Sequence, residues 1–255
     1  KGHINDLVKR ALDTGLEQMK VFQMACINPV RHYGLEVGCL QKGDSADFLV
    51  IDDFDGLHIR QTVINGEIVA ENGRSLLPRK PAGIVNRFAA TPKNPQDFSV
   101  PDQKRAVNIM DVIDGQLITQ KSRDTLEAEN GHLKSNIEKD ILKIAVVNRY
   151  EDLKPAVGFV RNFGLKHGAI SGSIAHDSHN IIVVGTSDED ICSAVNLIIA
   201  NQGGICAVCG AKNVREILPL PIAGLMSDED FETVANQYTR LDTLAKEMGS
   251  TLHAP

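Results

Sequence analysis

Six consecutive residues, Ala175-His-Asp-Ser-His-Asn180, place two imidazoles, one carboxylate, one hydroxyl and one amide side by side. Imidazole changes charge near neutral pH, so a His beside a carboxylate is a candidate for proton transfer. The hydroxyl and the amide add donors and acceptors. An apolar run follows at once, Ile181 to Val184, with the length and β-branching of a buried strand. Polar groups packed against the end of such a strand are costly unless they are hydrogen-bonded or put to use. Alternation along a strand sends His176, Ser178 and Asn180 to one face, and Asp177 and His179 to the other. In a turn, all five side chains can converge. Asp, Ser and Asn also build side-chain-to-backbone turns, and His can satisfy a buried carbonyl, so a structural turn is the competing reading.

The elements that must position this stretch surround it in sequence. Gly168 to Gly185 reads as strand, motif, strand. Upstream, Ala106–Ile113 is predicted as a strand, with Asp114-Gly115 the turn after it and Leu117–Gln120 a half-buried strand. Lys121–Lys139 is polar and reads as loop, with Glu127, Glu129 and Glu138 among its charges. Asp140–Val147 is an apolar strand. Pro155–Phe163 is predicted as a helix, with Pro at its start and Gly164 after its end. Downstream, Thr186-Ser-Asp-Glu-Asp190 precedes a helix over 191–200, and Met226-Ser-Asp-Glu-Asp230 precedes a helix over 231–248. In both, Ser suits the N-cap and the acids suit the first turn, so the echo is either a structural repeat or shared helix-start chemistry. Between them, Gly203-Gly204 leads into Ile205-Cys-Ala-Val-Cys-Gly210. Val214–Gly224 is extended, with Pro219 and Pro221 confining it to an edge or a crossing.

The first third of the chain has a different texture. Ile4, Leu7, Val8, Ala11 and Leu12 recur at helical spacing up to Gly15. A second helix is expected from about Leu16 to Cys26, and Asn28-Pro29 opens a short third one that ends before Gly34. Ala46–Asp52 is a strand, and Val63–Val69 a hairpin turning at Asn65-Gly66, a strong two-residue hairpin signal. Pro78, Pro81, Pro92, Pro95 and Pro101 mark a linker, which sets the expected domains at 1–84 and 85–255.

Composition narrows the class. Net charge is −6 with a pI near 5.8, against a surface built to neutralise phosphates, so no nucleic-acid partner is expected. No apolar run approaches the length of a membrane span, and the first residues lack a signal-peptide core. Five scattered cysteines read as reduced, in a cytoplasmic protein. Aromatic residues are 4% and Trp is absent, so the core must be aliphatic. The absence of an initiator Met, and an end without a polar tail, lead to the expectation of a piece cut from a longer protein.

Other chemical candidates are thinner. Cys206-x2-Cys209 has metal or redox spacing but no second Cys or His pair at zinc spacing, and in an apolar strand it reads as core. Gly203-Gly204 lacks a phosphate-loop context. His32, His58, His132 and His167 read as solitary surface or capping residues, and His3 sits where the first helix begins.

Two blocks carry a family resemblance. Cys26-Ile-Asn-Pro-Val-Arg-His-Tyr-Gly-Leu35, Gly38-x4-Gly43-Asp-Ser-Ala-Asp-Phe-Leu-Val50 and Val63-Ile-Asn-Gly66, preceded by helices, resemble the carboxyl-terminal part of the metal-dependent amidohydrolases. There the last barrel helices hand the chain to a small β-sandwich beside a (β/α)8 barrel. Ala175-His-Asp-Ser-His-Asn180, with Gly168-Ala-Ile, Ile181–Asp190 and Asn201-Gln-Gly-Gly204, resembles the adenine deaminases of that superfamily, and the likeness covers essentially the whole chain. The resemblance implies an α/β protein in two parts, a remnant of barrel helices and β-sandwich and then a mixed-sheet α/β domain. It implies hydrolytic deamination of adenine by water activated on a divalent metal, Mn or Fe. The family's metal ligands have no matching positions in this chain, so no metal-ligating residue is assigned, and the missing N-terminal barrel half is the expected partner. His176, Asp177 and His179 are the candidates for proton relay or purine contact, and Ser178 and Asn180 for orienting the loop or reading ring nitrogens. A homo-oligomer is expected. The alternatives are a non-catalytic structural or oligomerisation domain, and a module that binds a purine without reacting it.

Overall fold

The computed structural model describes residues 3–78, 80 and 83–253. The chain divides into two compact units, residues 1–80 and 81–255. Pro81, one of the five linker prolines, lies outside the described residues.

The first unit opens with α1 (Ile4–Asp13), where Asp6 reaches back to accept the His3 backbone N–H at 3.2 Å. The helices expected at 16–26 and 28–33 are one run: α2 (Gln18–Phe22), a π-helical turn (Gln23–Ile27) and α3 (Asn28–Tyr33) follow without a break. The widened turn carries the helix past Pro29, which has no N–H to give to the preceding turn. Gly34, at φ +60°, ends α3 in the left-handed conformation. Strands β1 (Phe48–Ile51), β2 (Ile59–Ile64), β3 (Glu67–Glu71) and β4 (Arg74–Ser75) form an antiparallel sheet in chain order. Asn65 and Gly66 both have positive φ, as a two-residue turn between β2 and β3 requires. Asp47 accepts the backbone N–H groups of Gly38 and Asn65, both at 2.7 Å, and so ties the loop before β1 to that turn. A small core gathers on Val8, Val21 and Leu57.

The second unit holds a 3₁₀ turn (Pro95–Phe98), then β5 (Val100–Pro101), β6 (Val107–Val112), β7 (Thr119–Asp124), β8 (Ala128–Glu129), β9 (His132–Leu133), β10 (Ile141–Val147), β11 (Ala156–Arg161), β12 (Ala169–Gly172) and β13 (Ile181–Gly185). Helix α4 (Asp188–Ala200), β14 (Gly204–Cys209), β15 (Val214–Pro219) and α5 (Phe231–Glu247) complete it. Eight strands make one sheet in the order β15-β14-β12-β13-β10-β11-β6-β7, and only β11 and β6 run parallel. A second, small sheet, β5-β9-β8, packs Val100 and Leu133 with Ile109, Ile141 and Phe159 of the large one. Alternation sorts the strand residues: Ala145, Val147, Ile181, Val183, Cys206 and Val208 pack with α4, while Leu142, Val184, Ala207 and Cys209 pack with α5.

Three local expectations need correction. Pro155–Phe163 is not a helix: it forms strand β11, paired along its length with β10. Gly158 sits in mid-run, and Phe159 buries on one face while Val160 buries on the other, which suits a sheet covered on both sides. Lys121–Lys139 is not simply loop, because β7 continues to Asp124 and β8 pairs with β9. β7 is an edge strand whose residues are mostly exposed, so no buried face imposed an apolar pattern on it. The paired Ser-Asp-Glu-Asp segments do not repeat structurally: Ser187 caps α4, whereas Asp230 caps α5. β15, carrying Pro219, is the sheet's other edge, as a residue without an N–H requires.

One charge lies deep in this unit. Lys143 on β10 is 1% exposed, and its Nζ donates to Asp188 Oδ1 at 2.6 Å and to the Phe98 carbonyl at 3.3 Å. The pair joins the central strand to the first turn of α4.

Candidate functional site

The motif is the connection between β12 and β13. Its backbone is a tight turn: Ser178 N–H donates to the His176 carbonyl at 2.9 Å and His179 N–H to the Ala175 carbonyl at 2.8 Å. Asp177 and His179 take positive φ, 65° and 50°. These conformations break strand alternation and splay the side chains, so neither the two-faced strand nor a convergence of all five groups is what forms. His176 Nδ1 and Asp177 Oδ1 are 3.0 Å apart, with side chains 95% and 90% exposed. Ser178 is exposed beside them. His179 and Asn180 turn inward and are half-buried. Asn180 Oδ1 accepts the Arg149 backbone N–H at 3.3 Å, and the buried His179 Nδ1 has no hydrogen-bond partner. The hairpin thus offers a solvated His–Asp pair at its tip and an unengaged imidazole nitrogen nearer its root.

Several residues that hold this hairpin were not singled out in the sequence. Ser173 is fully buried at its entrance; its Oγ donates to the Gly224 carbonyl at 2.6 Å and accepts the Gly204 N–H at 2.9 Å. Gly203 lies against Gly224, where an added Cβ would come within 2.5 Å of the Gly224 Cα. That close approach gives the Gly203-Gly204 pair a structural task. Arg149, just past β10, is 4% exposed. An Arg two residues past the apolar run 141–147 was the available signal, since a charge so close to a buried strand is costly unless it is engaged.

The remaining candidates fall elsewhere. Cys206 and Cys209 are 1% and 0% exposed in β14, and burial pushes the Cys206 thiol up to about 12, so it stays protonated. Three of the four histidines read as solitary have contacts: His58 Nδ1 lies 3.1 Å from Asp52 Oδ2, His32 stacks edge-on against Tyr33, and His132 Nδ1 lies 3.1 Å from the Asn130 carbonyl. Burial, with Lys212 nearby, holds the His167 pKa below the ordinary range against the pull of Asp190, and its Nε2 has no partner. Among the described residues, no three His, Cys, Asp or Glu side chains gather closely enough to hold a metal ion.

Comparison with known proteins places the two units in related groups. Residues 2–69 match the amidohydrolase family, a class of hydrolases. Residues 116–255, which include the whole hairpin, match the adenine deaminase C-terminal domain, and the chain belongs to that family. Curated relatives run along its full length: the adenine deaminase of Salinibacter ruber is 46% identical over 257 residues, covering 100% of this chain and 47% of the relative. That of Sulfurovum sp. is 49% identical, with 99% and 46% covered, and that of Methanosarcina acetivorans 43%, with 100% and 48% covered. The chain spans about half the length of the curated relatives it matches.

Proposed function

We propose that this chain is part of an adenine deaminase, which hydrolyses adenine and water to hypoxanthine and ammonia. The observation that carries the reading is the family match over 116–255, which takes in a hairpin bearing an inward imidazole with an unengaged nitrogen. The divalent metal, Mn or Fe, is held by residues of the barrel half outside this chain. When bound there, it would activate water for attack at neutral pH. The hairpin lies over the barrel mouth in the intact, homo-oligomeric cytoplasmic enzyme. There His179 relays a proton or meets the purine ring, His176 and Asp177 form the outer part of the relay, and Ser178 and Asn180 orient the loop or read ring nitrogens. Asn180 suits the orienting role, because its Oδ1 is already engaged by Arg149 N–H. The 255-residue chain alone does not turn over adenine.

A second reading has its own support. The exposed His176–Asp177 pair and the hairpin's internal hydrogen bonds suit a structural turn in a scaffold domain. One set of assays separates the two: adenine deamination by the full-length enzyme, by its His179→Ala variant at equal metal content, and by the 255-residue chain supplied with metal. The enzyme reading expects the variant to be impaired and the chain alone to be inactive. Metal-dependent hypoxanthine formation by the chain alone overturns the claim that the metal centre lies outside it.

A further inference from the structure

The end of the large sheet that carries the hairpin is organised around one buried cation. Arg149 is 4% exposed, and no carboxylate lies within ion-pair distance of it among the described residues. Its Nη2 donates to the Tyr150 hydroxyl at 2.9 Å, and its Cζ sits 4.6 Å from that ring's centroid. Its Nη1 reaches Asn86 Oδ1 at 3.4 Å, and its buried Nε has no partner. Asn86 in turn donates through Nδ2 to the carbonyls of Gln202 and Pro221, at 2.6 and 3.0 Å. The turn at Gly224 closes directly over the guanidinium, since a Cβ there would lie 2.1 Å from Nη1.

This arrangement touches both legs of the hairpin. At the entrance, Gly224, whose Cα packs close to the guanidinium, accepts the Ser173 hydroxyl through its carbonyl. At the exit, Asn180 Oδ1 accepts the Arg149 backbone N–H, while the Arg149 carbonyl accepts the Ala89 N–H at 2.7 Å. A buried cation without a counter-ion is unfavourable, and an apolar side chain of similar length would serve the fold at least as well. Stability therefore does not explain an arginine at this position. Its planar fork does, because it donates to Asn86 and Tyr150 at once while its flat face packs beneath the Gly224 turn, which neither Met nor Lys can do.

We infer that Arg149 is a positioning residue for the Ala175–Asn180 hairpin: its buried guanidinium fixes Asn86 and packs beneath the Gly224 turn that receives Ser173 at the entrance, while its backbone N–H holds Asn180 at the exit. Its service to catalysis rests on the reading that the hairpin acts in deamination; its grip on the hairpin does not.

The test uses the full-length, metal-loaded enzyme with Arg149→Met and Arg149→Lys. Two readouts are taken: steady-state kinetics on adenine, and hydrogen–deuterium exchange of the peptide covering residues 173–182. Arg149→Met is expected to keep its metal and its melting temperature, to lose about tenfold or more in kcat with little change in KM, and to exchange the hairpin amides at least about tenfold faster. Arg149→Lys keeps the charge but not the fork and is expected to rescue neither readout. Unchanged hairpin exchange in Arg149→Met overturns the inference. Faster exchange with normal kcat upholds the positioning and counts against the hairpin's part in catalysis, so the two failures are distinguishable. If Arg149→Met does not fold, Tyr150→Phe removes a single acceptor and is expected to shift both readouts the same way by about two- to fivefold; no shift in exchange there overturns the inference.

Discussion

The Lys143–Asp188 pair makes a quantitative test of how the second unit is held together. Lys143 is 2% and Asp188 16% exposed at the side chain, so the pair is largely withdrawn from water. Asp188→Ala leaves the ammonium with the Phe98 carbonyl alone, at 3.3 Å, and an uncompensated buried charge of this kind costs about 3–5 kcal/mol. Loss of an acid from the first turn of α4 adds about 0.5 kcal/mol. Once Lys143→Met has removed the ammonium, the same Asp188→Ala change is expected to cost about 1 kcal/mol or less. Urea unfolding followed by circular dichroism reads the difference. With a slope of about 2 kcal/mol per molar urea, Asp188→Ala lowers the midpoint of the transition of residues 81–255 by about 1.7–2.8 M, and by about 0.5 M or less in the Lys143→Met background. Equal shifts in the two backgrounds would refute the coupling. A shift below about 0.5 M in the otherwise native protein would refute the burial argument itself.

Two further outcomes are expected. Backbone N–H groups of Asn65 and Gly38 hold the Asp47 carboxyl below its usual range, so its folded value lies under its unfolded one; that contribution is present above the ordinary carboxylate range and is lost as pH falls through the folded value. The stability difference between native protein and Asp47→Asn should shrink as pH drops from about 5 toward about 2, and a constant difference in acid unfolding contradicts the assignment. Partial burial and neighbouring Cys39 raise the Cys26 thiol too, but Cys26 is exposed, whereas Cys206 is buried with its thiol pushed up to about 12. A maleimide at pH near 8 should modify Cys26 and spare Cys206 until the protein is denatured, as read by peptide mass spectrometry; equal labelling in the folded state contradicts the packing described for β14.

Much of the architecture was legible where a buried face imposes a period on the sequence. The run 141–147, the strand 181–185 and the Asn65-Gly66 hairpin appear near where the pattern puts them. β11 was not legible as a strand, because Pro155 before it and Gly164 after it imitate helix punctuation, and burial on both faces erases the period-two signal. β7 escaped for the opposite reason, since an exposed edge strand needs no apolar face. At the candidate site, the sequence marked the hairpin by its residue types. Its handedness was out of reach, because positive φ at Asp177 and His179 is set by the turn. Asn86 and Gly224, 138 positions apart in sequence, meet at Arg149, a proximity that only the sheet creates.

The central claim is that the inward imidazole of the hairpin serves deamination, and His179→Ala in the full-length enzyme tests it most directly. Steady-state kinetics on adenine are measured beside metal content. The account predicts a fall in kcat/KM of about 10²-fold or more with metal retained, the size expected for loss of a proton-transfer group. A near-normal rate at equal metal content would contradict it, and would leave the hairpin a structural turn in a scaffold domain.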